Sequence, residues 1–131
     1  MATILIIDDD CQIRGMLRDA LESEGHTIFD SVNGTEGLEK YRACPTDLII
    51  CDLMLPEKSG LTMIRELVEE FPTLKFIIMS GLTGFGLATS LEFTKKFGAQ
   101  WTLPKPFELA EMLTAVRGAL GQTEFSPVSC I

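Results

Sequence analysis

Residues 47–60 read DLIICDLMLPEKSG, and this stretch decides the fold because an apolar run stops abruptly at an acid. Leu48 to Cys51 are apolar, Asp52 follows them, and Pro56 and Gly60 prevent the strand from continuing. The pattern predicts a buried strand with Asp52 at its carboxyl end. A carboxylate in that place can be a surface charge, a metal ligand or a nucleophile, and the rest of the chain has to distinguish these roles.

The same strand-then-helix pattern recurs along the chain. Apolar, β-branched runs begin near residues 3, 27, 47, 75 and 101, and apolar residues at helical spacing follow each of them, most weakly between Gly81 and Gly98. This alternation predicts one α/β domain over residues 1–121, with a parallel five-stranded sheet and right-handed crossovers. Pro104 requires the fifth strand to lie at an edge of the sheet. Residues 122–131 lack periodicity and are expected to form a disordered tail or a linker stump.

Local signals predict several details of this domain. Asp10 is expected to cap the first helix and Gly25 to end it, and Asn33 is expected to cap the second helix. His26, the single histidine, is interpreted as a solvated turn residue, and Cys51 as a core residue. The buried stripe of the first helix is predicted to consist of Ile13, Met16, Leu17, Ala20 and Leu21.

Charge and hydropathy exclude several classes of function. The chain has 131 residues, with 11 Lys and Arg against 19 Asp and Glu, and its net charge of -8 makes direct binding of nucleic acid unfavourable. The apolar run Ile4 to Ile7 is too short for a membrane span or a signal peptide. Four cysteines show neither CxxC nor zinc-ligand spacing. We therefore expect a soluble cytoplasmic protein that folds without disulfides.

Polar side chains follow four of the five predicted strands. Asp8 and Asp9 follow the first, and Asp52, Ser80 and Lys105 follow the third, fourth and fifth. In parallel α/β sheets these carboxyl ends form the ligand crevice. Two carboxylates about 4 Å apart repel by roughly 4 kcal/mol at an effective dielectric near 20, so the acids predict a bound divalent cation. Oxygen donors without histidine or cysteine favour Mg²⁺, or Mn²⁺ in its place.

These groups together indicate phosphoryl chemistry. The hydroxyl of Ser80 and the ammonium of Lys105 would each bind one phosphoryl oxygen, and the cation would neutralise the remaining charge. Asp52 would then be the nucleophile that forms an acyl phosphate.

Several segments resemble the receiver domain of two-component response regulators, and the resemblance covers residues 3 to about 120. The resemblance implies a flavodoxin-like, doubly wound (βα)5 fold with strand order 2-1-3-4-5. The segments that carry it are ILIIDDD at 4–10, LIICD at 48–52 with Pro56 and Gly60, FIIMSG at 76–81, and Gly98-Ala99 leading to KPF at 105–107.

The resemblance also implies roles for individual residues. Asp52 would be the phospho-acceptor, and Asp9, Asp52 and the main-chain oxygen of Met54 would ligate Mg²⁺, with Asp8 acting through a water molecule. Ser80 and Lys105 would contact the phosphoryl group. The phosphoryl donor would be a sensor histidine kinase or a histidine phosphotransfer protein, and the only reactions catalysed would be the domain's own phosphorylation and dephosphorylation.

The output side departs from the family pattern. Thr102, with Trp101 beside it, stands where the family usually has an aromatic residue whose movement reports phosphorylation. The resemblance implies a downstream protein that binds the face formed by the fourth helix, fifth strand and fifth helix, with Leu87, Phe93, Trp101 and Thr102 as candidate contacts. It is compatible with a monomer or a weak dimer.

Two alternatives remain open from the residues alone. A small phosphatase of the haloacid dehalogenase type would use Asp8 as nucleophile, since Asp8-x-Asp10 resembles the opening motif of that superfamily, although Gln12 stands where Thr or Val is expected. A binding module that has lost phosphorylation would act through its surface alone.

Overall fold

Five parallel strands form a single sheet in the order β2-β1-β3-β4-β5. The structure is a computed structural model that describes residues 2–53, 60–80, 101–105 and 107–121. Both the parallel sheet and its predicted strand order are confirmed. β5 lies at an edge, as Pro104 requires. The strands are β1 (Thr3–Ile7), β2 (Thr27–Ser31), β3 (Leu48–Asp52), β4 (Phe76–Ser80) and β5 (Trp101–Pro104).

Helices follow β1, β2, β3 and β5 in the described part of the chain. They are α1 (Cys11–Ser23), α2 (Gly34–Ala43), α3 (Gly60–Glu70) and α4 (Leu109–Ala119), and α4 corresponds to the fifth helix of the sequence pattern. The helix predicted between Gly81 and Gly98, the segment 54–59 and the predicted tail 122–131 lie outside the described residues.

The helices cover both faces of the sheet, which explains why its central strands are continuously apolar. Successive side chains of a strand point to opposite faces, so Ile6 joins the core beneath α1 and α4, whereas Ile7 joins the core beneath α2 and α3. Cys51 is fully buried in the second core, as predicted.

The predicted helix boundaries are confirmed by their hydrogen bonds. Asp10 accepts from the main-chain nitrogens of Gln12 and Ile13 at 2.9 and 3.4 Å, and Asn33 accepts from that of Glu36 at 2.7 Å. These contacts satisfy amide groups that have no partner within the helix. Gly25 follows α1 with a φ of 95°, a left-handed conformation that favours glycine.

Two predictions about burial are wrong. Met16 is 40% exposed, because the buried side of α1 is narrower than its apolar stripe. His26 is buried, with 7% exposure, and its Nδ1 accepts a hydrogen bond from the main-chain nitrogen of Ala2 at 3.1 Å. The turn after α1 lies against the start of β1, since Thr27 also donates to the carbonyl of Ala2. The histidine is therefore a packed structural residue and not a solvated one.

Side chains from two helices cover the free edge of β2. The N–H of Thr27 and the carbonyl of Ser31 form hydrogen bonds on the β1 side of the strand. Main-chain polar groups of successive residues point to opposite sides, so the carbonyls of Ile28 and Asp30 point to the free edge. Arg18 on α1 donates to the Ile28 carbonyl at 3.2 Å, and Lys40 on α2 donates to the Asp30 carbonyl. Charged side chains on an edge strand oppose pairing with another strand.

Candidate functional site

Three carboxylates meet at the carboxyl edge of the sheet, at the ends of two adjacent strands. Ile7 on β1 is paired with Cys51 on β3, so Asp8 and Asp52 follow at the same level. Asp9 completes the group, and one oxygen of each carboxylate lies within 4.8 Å of the others. Asp8 is 0% exposed and Asp52 4% exposed, whereas Asp9 is exposed. The cluster is therefore open to solvent on the side of Asp9.

Lys105 places an ammonium between the two buried acids. Its Nζ donates to Oδ2 of Asp8 at 2.8 Å and to Oδ2 of Asp52 at 2.7 Å. The lysine directly follows β5, and β4 lies between that strand and β3. Burial by itself would lower the pKa of Lys105, but the hydrogen bonds to Asp52 and Asp8 raise it above its usual value. The ammonium thus stays charged and compensates the acids.

Asp8 is held by the chain around it. Its Oδ1 accepts a hydrogen bond from the main-chain nitrogen of Asp10 at 2.9 Å, and its own nitrogen donates to the carbonyl of Ser31 at 3.2 Å. Burial raises the pKa of the Asp8 carboxyl, and the bonds from Lys105 and Asp10 oppose that rise. Lys105 and the Asp10 amide therefore stabilise the charged form of Asp8 against the cost of its burial.

Asp10 and Cys51, which adjoin the acidic cluster in the sequence, have structural roles. Asp10 directs its carboxylate to the first turn of α1. Burial raises the pKa of the Cys51 thiol well above its usual value, and its Sγ donates to the carbonyl of Asp52 at 3.3 Å. A buried thiol that stays protonated is a poor nucleophile and a poor metal ligand.

Some predicted site residues lie outside what the structure describes. Met54 is among these, and so is the side chain of Ser80. The backbone of Ser80 ends β4 and is paired with Pro104, so it reaches the same edge of the sheet as Asp52.

Arg14 contacts the site although its place in the sequence gives little sign of this. Its Nη1 donates to the main-chain carbonyl of Asp8 at 2.7 Å. The only signal in the sequence is a position four residues after Asp10, which places Arg14 one helical turn after the cap. Every residue type supplies a main-chain carbonyl, so a bond to that atom requires no particular residue at position 8 and leaves no pattern in the sequence.

The donor chemistry of the cluster fits a hard divalent cation. Three carboxylates supply oxygen atoms, and the ammonium of Lys105 already demonstrates that the two buried acids share a cation. Mg²⁺ prefers such oxygen donors and usually retains several water molecules. The exposed side of Asp9 leaves room for them.

Among the described residues, no helix is both long and apolar enough to cross a membrane.

A family model described as "Response regulator receiver domain" matches residues 4–117. Chemotaxis protein CheY of Thermotoga maritima is 30% identical over 114 residues, covering 86% of this chain and 92% of that protein. Sensor kinase CckA of Brucella abortus is 37% identical over 122 residues, covering 91% of this chain. The DNA-binding transcriptional regulator NtrC of Azospirillum brasilense is 36% identical over 119 residues, again covering 91% of this chain.

Many of the similar proteins are longer than this chain. The match spans 12% of the length of CckA, 51% of a probable transcriptional regulatory protein of Picosynechococcus and 24% of NtrC. A solved receiver domain from Clostridium thermocellum is similar over 93% of this chain and 96% of its own, with a TM-score of 0.82 and 28% identity. These findings give no support to the phosphatase alternative. Because the family match covers residues 4–117, and with them all four residues of the acid and lysine cluster, the chain belongs to the response regulator receiver domain family of two-component signalling.

Proposed function

We propose that Asp52 accepts a phosphoryl group from a phosphohistidine, with Mg²⁺ at the acidic cluster, and that this modification changes which partner the domain binds. The observation that carries the proposal is the position of Lys105, whose Nζ lies 2.7 Å from Asp52 and 2.8 Å from Asp8. A single cation shared by two acids marks the point where a phosphoryl group with its negative oxygens would be stabilised.

Asp52 suits the role of nucleophile better than Asp8 does. The side chain of Asp8 is 0% exposed, and both of its oxygens accept hydrogen bonds, from Asp10 and from Lys105. The side chain of Asp52 is 6% exposed and stands at the tip of the central strand. A nucleophile must reach the phosphorus atom of an incoming donor, and attack by Asp8 would break the bond that orders the β1–α1 turn.

Asp8, Asp9 and Asp52 would hold the cation, with Asp8 acting through a water molecule. Mg²⁺ would be the usual ion, and Mn²⁺ could replace it because it favours the same oxygen donors. The main-chain oxygen of Met54 is proposed as a further ligand. When bound, the ion would neutralise the charge that builds up on the phosphoryl oxygens.

In the transfer step, a carboxylate oxygen of Asp52 attacks the phosphorus of the phosphohistidine. The new bond is the O–P bond of an acyl phosphate, and the P–N bond breaks with its electron pair passing to the imidazole nitrogen. Lys105 can pair with one phosphoryl oxygen, and we assign the hydroxyl of Ser80 to a second. Attack by water on the acyl phosphate would later release inorganic phosphate, so the domain would catalyse only its own modification and its reversal.

The donor is proposed to be a sensor histidine kinase or a histidine phosphotransfer protein that docks beside Lys105. A cavity of about 370 Å³ there is lined by Ile13, Met16, Lys105 and Phe107. The donor must bring its phosphorus within bonding distance of Asp52, so it must cover the rim of the site. Met16, which is 40% exposed, offers an adaptable apolar contact at that rim.

The output is proposed to pass through the face formed by the predicted fourth helix, β5 and α4. Trp101 and Thr102 belong to β5, whereas Leu87 and Phe93 lie outside the described residues. We further propose that the domain comprises residues 1–121, acts in the cytoplasm as a monomer or a weak dimer, and does not bind nucleic acid itself. The net charge of -8 supports the last point.

Acetyl phosphate with Mg²⁺ tests the proposal, because it supplies phosphate without a partner protein. We expect one phosphate per chain, in an adduct that is stable to acid and labile to base, and no adduct in Asp52→Asn. Asp47→Asn is the matched control, since Asp47 precedes β3 at the opposite end of the same strand. An adduct that persists in Asp52→Asn would overturn the assignment. Turnover of a phosphomonoester that is lost in Asp8→Asn but not in Asp52→Asn would instead support a phosphatase.

A further inference from the structure

Arg14 is the charged side chain of α1 that reaches the acidic cluster. The residue is half-buried, and its main-chain nitrogen donates to the carbonyl of Asp10 at 3.1 Å within the first turn. Its guanidinium extends back past that turn, and Nη1 lies 2.7 Å from the carbonyl oxygen of Asp8. Arg14 therefore spans the β1–α1 turn that carries all three acids from 8 to 10.

The contact completes the hydrogen bonding of a fully buried residue. Asp8 donates its N–H to Ser31 and accepts from Asp10 and Lys105 on its two carboxylate oxygens. Arg14 supplies the donor for the remaining polar atom, the main-chain carbonyl. A buried carbonyl without a partner is unfavourable, so this bond favours one orientation of the turn.

That carbonyl belongs to the peptide unit that joins Asp8 to Asp9. The peptide unit is planar, so holding its oxygen fixes the plane from which the Asp9 side chain projects. Asp9 is the exposed member of the acid group, and its carboxylate nevertheless lies within 4.8 Å of those of Asp8 and Asp52. Its direction thus depends on the peptide that Arg14 holds.

Arg14 and Lys105 differ in what they would do when a divalent cation binds. Lys105 occupies one carboxylate oxygen each of Asp8 and Asp52, so an incoming cation competes with its ammonium. Arg14 binds a carbonyl and leaves the carboxylates available. Its contact can therefore persist with and without the cation.

We propose that Arg14 is a positioning residue, whose guanidinium fixes the Asp8–Asp9 peptide and so directs the Asp9 carboxylate toward a divalent cation shared with Asp8 and Asp52. The inference rests on the proposed Mg²⁺ site. Residues that orient metal ligands typically change metal affinity about 10- to 100-fold when they are replaced.

Mg²⁺ titration by calorimetry tests this role in Arg14→Met and Arg14→Lys. Methionine keeps an apolar stem but has no donor, whereas lysine keeps the charge and one donor group. We expect Mg²⁺ affinity to fall about tenfold or more in Arg14→Met and less in Arg14→Lys. Arg117→Met is the control, because Arg117 pairs with Glu24 at the other end of α1 and its loss changes the net charge equally.

Amide hydrogen exchange gives a second measurement that does not require a bound ion. Without the Arg14 bond, the amide of Asp10, which donates to Oδ1 of Asp8 at 2.9 Å, should exchange faster in Arg14→Met than in the wild type, and Arg117→Met should leave it unchanged. Wild-type Mg²⁺ affinity and Asp10 exchange retained in a folded Arg14→Met would overturn the inference alone. Absence of Mg²⁺ binding in the wild type would instead overturn the proposed site, and the inference with it. If Arg14→Met does not fold, Arg14→Gln takes its place, because glutamine lacks the charge and the reach of arginine. Mg²⁺ affinity and amide exchange equal to those of the wild type in Arg14→Gln would overturn the positioning role.

Discussion

Gly60 lies so close to the main chain of Asp52 that a Cβ atom on Gly60 would stand 2.2 Å from the carbonyl oxygen of Asp52. The same Cβ would lie 3.0 Å from the Cα of Leu53, whose carbonyl accepts the N–H of Gly60 at 3.1 Å. These are backbone atoms, so no change of side-chain rotamer can relieve the contact. The start of α3 and the tip of β3 therefore pack together only with glycine at this position.

Gly60→Ala should displace the strand tip that carries the proposed phospho-acceptor. We expect a loss of about 1–3 kcal/mol in the free energy of unfolding, the usual cost of overpacking, and slower phosphorylation by acetyl phosphate. Urea unfolding and adduct formation measure the two effects. Gly15→Ala is the control, because nothing lies within 4 Å of a Cβ there and alanine should stabilise α1 by about 0.8–1 kcal/mol. A Gly60→Ala protein as stable and as reactive as wild type would contradict the packing argument.

Lys105→Met should leave two carboxylates facing each other without their shared ammonium. We expect the free energy of unfolding near neutral pH to fall by about 3–5 kcal/mol, the range for breaking a buried ion pair. Mg²⁺ should restore part of this loss, because it binds the folded acids in place of the ammonium. Urea unfolding with and without Mg²⁺ measures both effects.

The stability of Lys105→Met should also depend on pH in a defined direction. Burial already raises the pKa of Asp8, and the lost lysine no longer opposes that rise. A carboxyl whose pKa is higher in the folded state contributes stability at low pH that is lost as the pH rises. Lys105→Met should therefore lose more stability at pH about 7.5 than at about 5, relative to the control Lys75→Met, which removes an exposed lysine before β4. Equal losses at both pH values would contradict this account.

His26 should make the domain less stable in mild acid. Burial lowers the pKa of the imidazole, and its Nδ1 must be unprotonated to accept the bond from Ala2. The neutral imidazole contributes its full share of the free energy of unfolding above the pKa of histidine in the unfolded chain, about 6.5. This contribution is lost as the pH falls toward the lower pKa of the folded state. Urea unfolding across this range should show wild type losing up to about 1.4 kcal/mol per pH unit relative to His26→Asn, whose amide oxygen can accept the same bond. Parallel curves for the two proteins would show that His26 does not titrate in this way.

The double variant Arg18→Ala and Lys40→Ala should uncover the free edge of β2. Both outward carbonyls would lose the cations that cover them, and Phe29 on that strand is already 42% exposed. We expect self-association that increases with concentration, because an uncovered edge strand can pair with a second copy. Sedimentation velocity measures it.

The control for that experiment removes the same charge elsewhere. Arg42 pairs with Glu70 on α3 and Arg117 pairs with Glu24, so Arg42→Ala with Arg117→Ala leaves β2 covered. Identical sedimentation of the two double variants would rule out a special role for the edge cations.

Predictions from the sequence succeeded where a local pattern has a local cause. Asp10 and Asn33 could be recognised as helix caps because the short polar side chain of a residue just before a helix can accept from an amide two or three residues later. Met16 and His26 were mispredicted because their burial depends on which segments lie over them. Helical spacing puts Met16 on the apolar stripe but does not show how far the core extends over that stripe. A turn sequence likewise does not reveal that His26 is hydrogen-bonded to Ala2.

Some contacts of the candidate site could likewise be predicted from the sequence, and others could not. Asp8, Asp9, Asp52 and Lys105 could be expected together because parallel strands bring their carboxyl ends to one edge. Arg14 and the close approach of Gly60 to Asp52 could not be expected, since both contacts involve main-chain atoms, which every residue type supplies.

The sequence by itself determined the succession of strands and helices along the chain and the chemistry at each strand end. Periodicity and abrupt changes from apolar to charged residues are properties of neighbours along the chain. The tertiary structure decided which charges share a contact. Lys105 is 97 residues from Asp8 and 53 from Asp52, and only the order of strands in the sheet brings its ammonium within hydrogen-bonding distance of both acids.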